Sequence, residues 1–270
     1  MLTSLREPAY PLSPILVAVL KRDRAIVAFG LAGVATLSWT YLIYMDWGMR
    51  HMDVGMDMVI MPAMQHWTAW DLVLVFLMWA VMMVAMMVPA ASPVILLFAE
   101  INRRRNEHQG TFVSTGQFLL GYLTAWTGFS VFATLAQWGL LTVALVSPMM
   151  ETTSRAFGAG LLLGAGLFQF SRMKYACLAH CRSPMGFLAT EWRDGLGGAF
   201  RMGLKHGGYC LGCCWALMGL LFAFGVMNLL WVASISGFVL LEKITSANLL
   251  VSRLGGLLFI GWAAWIVFGS

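Results

Sequence analysis

All five cysteines of the chain fall in two short clusters, Cys177 and Cys181 in KYACLAHC and Cys210, Cys213 and Cys214 in GGYCLGCCW. Spacings of three and four residues set thiols on one face of a helix. Two antiparallel helices that are neighbours in the chain can then bring both groups together at one end. His180 and His206 stand in the same segments and add imidazole nitrogens. Sites of three or four thiolates suit Zn(II), iron–sulfur clusters or Cu(I). The competing role is cysteine as a small buried hydrophobe.

Methionine supplies two further groups of soft donors. Met45, Met49, Met52, Met56, Met58, Met61 and Met64 crowd into twenty residues around WGMRHMDVGMDMVIMPAMQHW, together with His51, His66, Asp46, Asp53 and Asp57. Thioether sulfur favours Cu(I) over hard ions, and it stays a ligand where thiols would oxidise. In MWAVMMVAMMVPAASP, Met78, Met82 and Met86 recur every four residues, and Met83 and Met87 widen the stripe on one side. On a helix these residues form a ladder about 13 Å long. Methionine also fills cores as adaptable packing, so the stripe alone does not decide between path and packing.

The elements that position these residues must be membrane helices. With 60% hydrophobic and 11% charged residues among 270 and a mean hydropathy of +0.79, the chain lacks the polar surface of a soluble domain, which carries roughly 25% charged residues. Apolar runs at 26–45, 72–99, 112–146, 156–171, 208–224, 226–241 and 250–268 predict an all-α polytopic bundle of about seven transmembrane helices. The last pair of inner runs requires a turn near Gly225 to Asn228. The first run follows Lys21, Arg22 and Arg24 and is expected to remain as an uncleaved anchor.

With the N-terminus inside, only Arg50 and Arg155 of the 17 Lys and Arg residues fall on the outer side. This asymmetry fits a cytoplasmic N-terminus and an outer C-terminus. The chain is therefore read as one integral membrane domain over 1–270, with an inner N-terminal segment at 1–25, an outer Met/His-rich loop at 46–69 and an inner Cys-bearing segment at 172–207. Gly160 and Gly164 are the expected close-packing glycines. The net charge of +5 is spread along inner loops, so no nucleic-acid partner is expected. No phosphate-binding loop or nucleophilic triad is present, which leaves nucleotide-driven pumping and acyl chemistry without residues.

The segments WAVMMVAMMVPAASPVILLF, KYACLAHCRSP, GGYCLGCCWALM and GVMNLLWVASISGFVLLEK resemble the predicted metal-binding integral membrane proteins of bacteria, a family classed as a domain of unknown function. The resemblance covers most of the chain from the second helix onward. It implies an inner-membrane location and a metal role resting on the same Cys and Met residues. Capture of Cu(I) at the outer loop, movement along the ladder and holding at the cysteines is the favoured reading, with zinc or another thiophilic metal as the alternative cargo. A membrane thiol–disulfide oxidoreductase and a structural subunit stapled by a Zn-type site are its rivals. Membrane lipid is an expected partner, as is a periplasmic or membrane metalloprotein that receives or donates metal; a homo-oligomer is compatible with the sequence.

Overall fold

The computed structural model describes residues 14–50, 68–109, 115–146, 152–226, 228–245 and 248–269. Among these residues the elements are helices, apart from an isolated antiparallel bridge between Val146 and Thr152. In chain order they are α1 (Pro14–Arg50), α2 (Ala69–Gln109), α3 (Thr115–Thr142), α4 (Arg155–Phe168), α5 (Arg172–Arg182), α6 (Pro184–Glu191), α7 (Gly195–Gly219), α8 (Leu221–Phe224), α9 (Leu229–Ile244) and α10 (Asn248–Phe268).

Among the described residues, five stretches are long and apolar enough to cross a membrane: Ala25–Gly48, Ala69–Arg105, Thr115–Thr142, Gly195–Phe224 and Leu249–Phe268. The runs expected to span at 156–171 and 226–241 are occupied by α4 and α9, of 14 and 16 residues. At ~1.5 Å per residue these reach about 21 and 24 Å, short of a ~30 Å hydrocarbon core. The expected turn between α8 and α9 forms at Gly225, whose φ of +94° lies in the region glycine enters without a Cβ clash. Phe29, Leu37, Phe132 and Trp265 point outward, each with 64% or more of its surface exposed. An exterior of this kind suits lipid rather than water.

The helix α3 lies backbone to backbone against α7. A Cβ on Gly203 would collide with the Phe118 carbonyl, and one on Gly121 with the Phe200 carbonyl. A second close pair is α4 with α10, where a Cβ on Gly166 would come within 3.0 Å of the Gly256 carbonyl oxygen. The packing role expected of Gly160 and Gly164 is not realised within the chain. Both are exposed with nothing within 4 Å of the Cβ position, and Gly166 carries the contact instead.

Two prolines, Pro89 and Pro93, lie inside the 41 residues of α2. Each removes the amide that would bond the carbonyl four residues earlier. Both freed carbonyls find side-chain donors: Trp39 Nε1 of α1 reaches the Ala85 oxygen at 3.0 Å, and Ser92 Oγ reaches the Pro89 oxygen at 2.8 Å. Neighbouring carbonyls gain contacts as well, Met86 from Ser236 Oγ of α9 at 3.2 Å and Met87 from Tyr122 Oη of α3 at 3.1 Å. The proline stretch is therefore where α1, α3 and α9 are pinned to α2.

Candidate metal centre

Ser171 starts α5 by accepting the Lys174 amide on its hydroxyl at 3.1 Å, a side-chain N-cap. From that start Cys177 and Cys181, four apart, share one face. The helix α7 begins at Gly195, whereas the apolar run suggested a start near 208. Residues 195–207, expected to belong to the inner Cys-bearing segment, are therefore helical. Cys210, Cys213 and Cys214 stand in the second half of α7, about 22 Å along it at ~1.5 Å per residue, and are all buried.

Packing of α5 on α7 brings four sulfurs together. Cys181 is in hydrogen-bond contact with Cys210 and Cys213, and Cys214 touches the same two. The Cys213 and Cys214 sulfurs also turn back to the Cys210 carbonyl oxygen, at 3.0 and 2.9 Å. Cys177 stands at the margin, half-buried, with its sulfur against the Gly212 backbone. The two α5 thiols are held in the protonated form. Hydrogen bonds to Cys210 and Cys213, then burial, push Cys181 well up, and burial together with Cys213 raises Cys177. All five cysteines are free.

Two side chains that sequence analysis gave no role complete this pocket. Lys243 Nζ donates to Cys210 Sγ at 2.9 Å, and Tyr122 Oη lies 3.2 Å from the same sulfur. Lys243 figured in the sequence only as an inner charge. Beside it, Glu242 points the other way and binds Lys174 Nζ at 2.7 Å and Ser252 Oγ at 2.7 Å. A Glu–Lys pair closing the apolar run GFVLLEK was the available signal, since ionisable groups within or bordering spans mark function more often than packing. Tyr122 left no local trace, being 88 residues from Cys210.

The two histidines part company. His206, one turn before Cys210, is buried among the rings of Phe118, Tyr122 and Phe187, and its Nδ1 has no hydrogen-bond partner among the described residues. His180 is exposed, bonds the Ala176 carbonyl through Nδ1 at 2.9 Å and stacks on Tyr209, so it faces away from the thiols. Met78, Met82, Met83, Met86 and Met87 are all buried in the same core, as is Met218 of α7. Met45 is buried on α1, and Met49 lies in its last turn. His51, Met52 and Met56 lie outside the described residues.

Among the described residues, no three His, Cys, Asp or Glu side chains are arranged to hold one ion as they stand. The thiols are turned to one another, to a carbonyl and to an ammonium. Freeing the Cys213 and Cys214 sulfurs for a ligand role means rotating them off the Cys210 carbonyl, a change of side-chain rotamer.

Residues 76–266, from the methionine stripe into the last helix, match the PpoB2 family, described as copper chaperone. The chain belongs to the PpoB2 copper chaperone family. No curated protein and no solved structure matches it. In this PpoB2 chain the matched span contains all five cysteines, Lys243 and the α2 methionines, and it begins after the methionine-rich segment at 45–64. Family membership thus supports copper handling in general, and that methionine-rich segment lies outside the match.

Proposed function

We propose that the chain is a multi-pass protein of the inner membrane that receives Cu(I) at the outer Met/His loop and carries it past Met78, Met82 and Met86 to the thiols of Cys181, Cys210, Cys213 and Cys214. In this reading the N-terminus is cytoplasmic, α4 and α9 complete seven spans, and Cys177 and His206 lie beside the thiol pocket. The observation that carries it is the Tyr122 hydroxyl, shared between the Met87 carbonyl and the Cys210 sulfur. The α2 backbone at the lower end of the methionine stripe is thus one hydroxyl away from the thiols. Soft, neutral thioethers let a monovalent ion exchange ligands along such a stripe, and thiolates hold it more firmly at the end. The family description, copper chaperone, favours onward transfer to a recipient metalloprotein over storage.

Copper content decides the reading. Reduced, purified protein equilibrated with Cu(I) is expected to retain copper through gel filtration, and Cys210→Ser and Cys213→Ser are each expected to lose most of it, because removing one ligand opens the coordination shell. Cys177→Ser, at the margin, is expected to retain the parent's content. Copper retention unchanged in both Cys210→Ser and Cys213→Ser defeats the proposal.

A further inference from the structure

The thiol pocket contains an ammonium that the copper reading leaves unused. Lys243 Nζ lies 2.9 Å from Cys210 Sγ, in a pocket whose sulfurs are buried. A second cation near α9, Lys174, is committed to Glu242 at 2.7 Å, with both side chains out of solvent. Glu242 also accepts Ser252 Oγ, so this carboxylate and its lysine balance one another. Lys243 is left facing Cys210, with Cys181, Cys213 and Tyr122 around it. No carboxylate is bonded to it among the described residues.

Charge then limits what the pocket can hold. A Cu(I) ion bound by two thiolates is a complex of charge −1, and by three thiolates of charge −2. Burying an unbalanced charge is costly, and a hydrogen-bonded opposite charge offsets that cost. One ammonium neutralises the two-thiolate complex and leaves the three-thiolate complex unbalanced.

We infer that Lys243 is the counter-cation of the copper site, remaining on Cys210 when Cu(I) is held by Cys210 and one neighbouring sulfur, Cys213, so that the buried complex is electrically neutral. Lys243 is not a ligand in this arrangement. It is a positioning residue that sets both affinity and the number of sulfurs bound. The inference rests on the copper reading of the thiol pocket and adds to it the residue that balances the charge.

The test is Cu(I) affinity of the full chain in detergent, measured by competition with a chromophoric Cu(I) chelator, for the parent and for Lys243→Leu, Lys243→Gln and Lys243→Arg. Leucine and glutamine remove the charge without adding a soft sulfur. Both are expected to bind Cu(I) about tenfold or more weakly, while arginine stays within about threefold of the parent. Equal or tighter binding by Lys243→Leu and Lys243→Gln overturns the inference, and so does an arginine variant as weak as leucine, since charge would then not be what matters. X-ray absorption on the parent alone gives an independent reading that does not depend on a variant folding. Two sulfurs per copper are expected, and three overturn the counter-cation role. A parent that binds no Cu(I) removes the proposed function itself, whereas a parent that binds and variants that match it remove only Lys243.

Discussion

Lys174 and Glu242 meet at 2.7 Å across 68 residues of chain, one from the first turn of α5 and the other from the last turn of α9. Their side chains expose 0% and 2% of their surface. A pair so placed is strongly sensitive to losing one member, because the survivor is left charged and unpartnered. Lys174→Met or Glu242→Met alone is expected to lower unfolding stability by about 3–5 kcal/mol, whereas the double change to Lys174→Met with Glu242→Met costs less than either single change. Thermal unfolding of the four proteins in one detergent checks this, and additive losses would show that the two residues are not coupled.

The contact of α3 with α7 makes a second prediction. Gly203→Ala forces a methyl into the Phe118 carbonyl, a backbone group with nowhere to retreat, and is expected to cost at least about 2 kcal/mol. Gly208→Ala, on the same helix with nothing within 4 Å of its Cβ position, is expected to be neutral or to stabilise by up to about 1 kcal/mol through helix propensity. Similar melting temperatures for the two alanine variants would mean that the helices are not in backbone contact.

Copper flux distinguishes path from packing along α2. Leucine preserves methionine's volume and removes the sulfur, so Met82→Leu combined with Met86→Leu is expected to leave the protein folded and to slow copper movement across sealed vesicles by about tenfold. Met82→Cys keeps a soft ligand and is expected to retain most of the flux. Because both methionines are fully buried, the cysteine variant also opens a cavity, so its stability is measured alongside. Flux in the leucine double variant equal to the parent's would leave the stripe as core packing.

Orientation is tested by labelling. A membrane-impermeant thiol reagent applied to intact cells is expected to spare the five native cysteines and to modify a cysteine introduced as Met56→Cys. Modification of native Cys177, the least buried of the five, would reverse the assigned direction of the chain.

Helical spacing made part of this arrangement readable from the sequence. Met78, Met82 and Met86 repeat at the period of a helix face, and all lie inside. Cys210, Cys213 and Cys214 repeat at the same period, and one face of α7 buries them together. The start of α7 was not readable. Gly195, Gly197, Gly198, Gly203, Gly207 and Gly208, with Arg201 and Lys205, give the composition of a loop, yet Gly203 and Gly207 are the face by which this helix touches α3. Their helical state depends on a partner far away in the chain. The same holds for Tyr122 and Lys243, whose meeting with Cys210 is a property of packing and leaves no periodic mark.

The glycine contact between α3 and α7 also determines which parts of the pocket can open. With no side-chain layer to slide over, the two helices are built to move as one body, which keeps the backbone of Tyr122, Cys210, Cys213 and Cys214 together while their side chains turn. The remaining walls are Cys181 on α5, a helix of 11 residues, and Lys243 near the end of α9. In the proposed reading, admission and release of an ion fall to these two pieces. A small hinge at Ser171 or Thr245 would widen the pocket from one side and leave its sulfur-bearing floor in place, which gives the site a fixed jaw and a moving one.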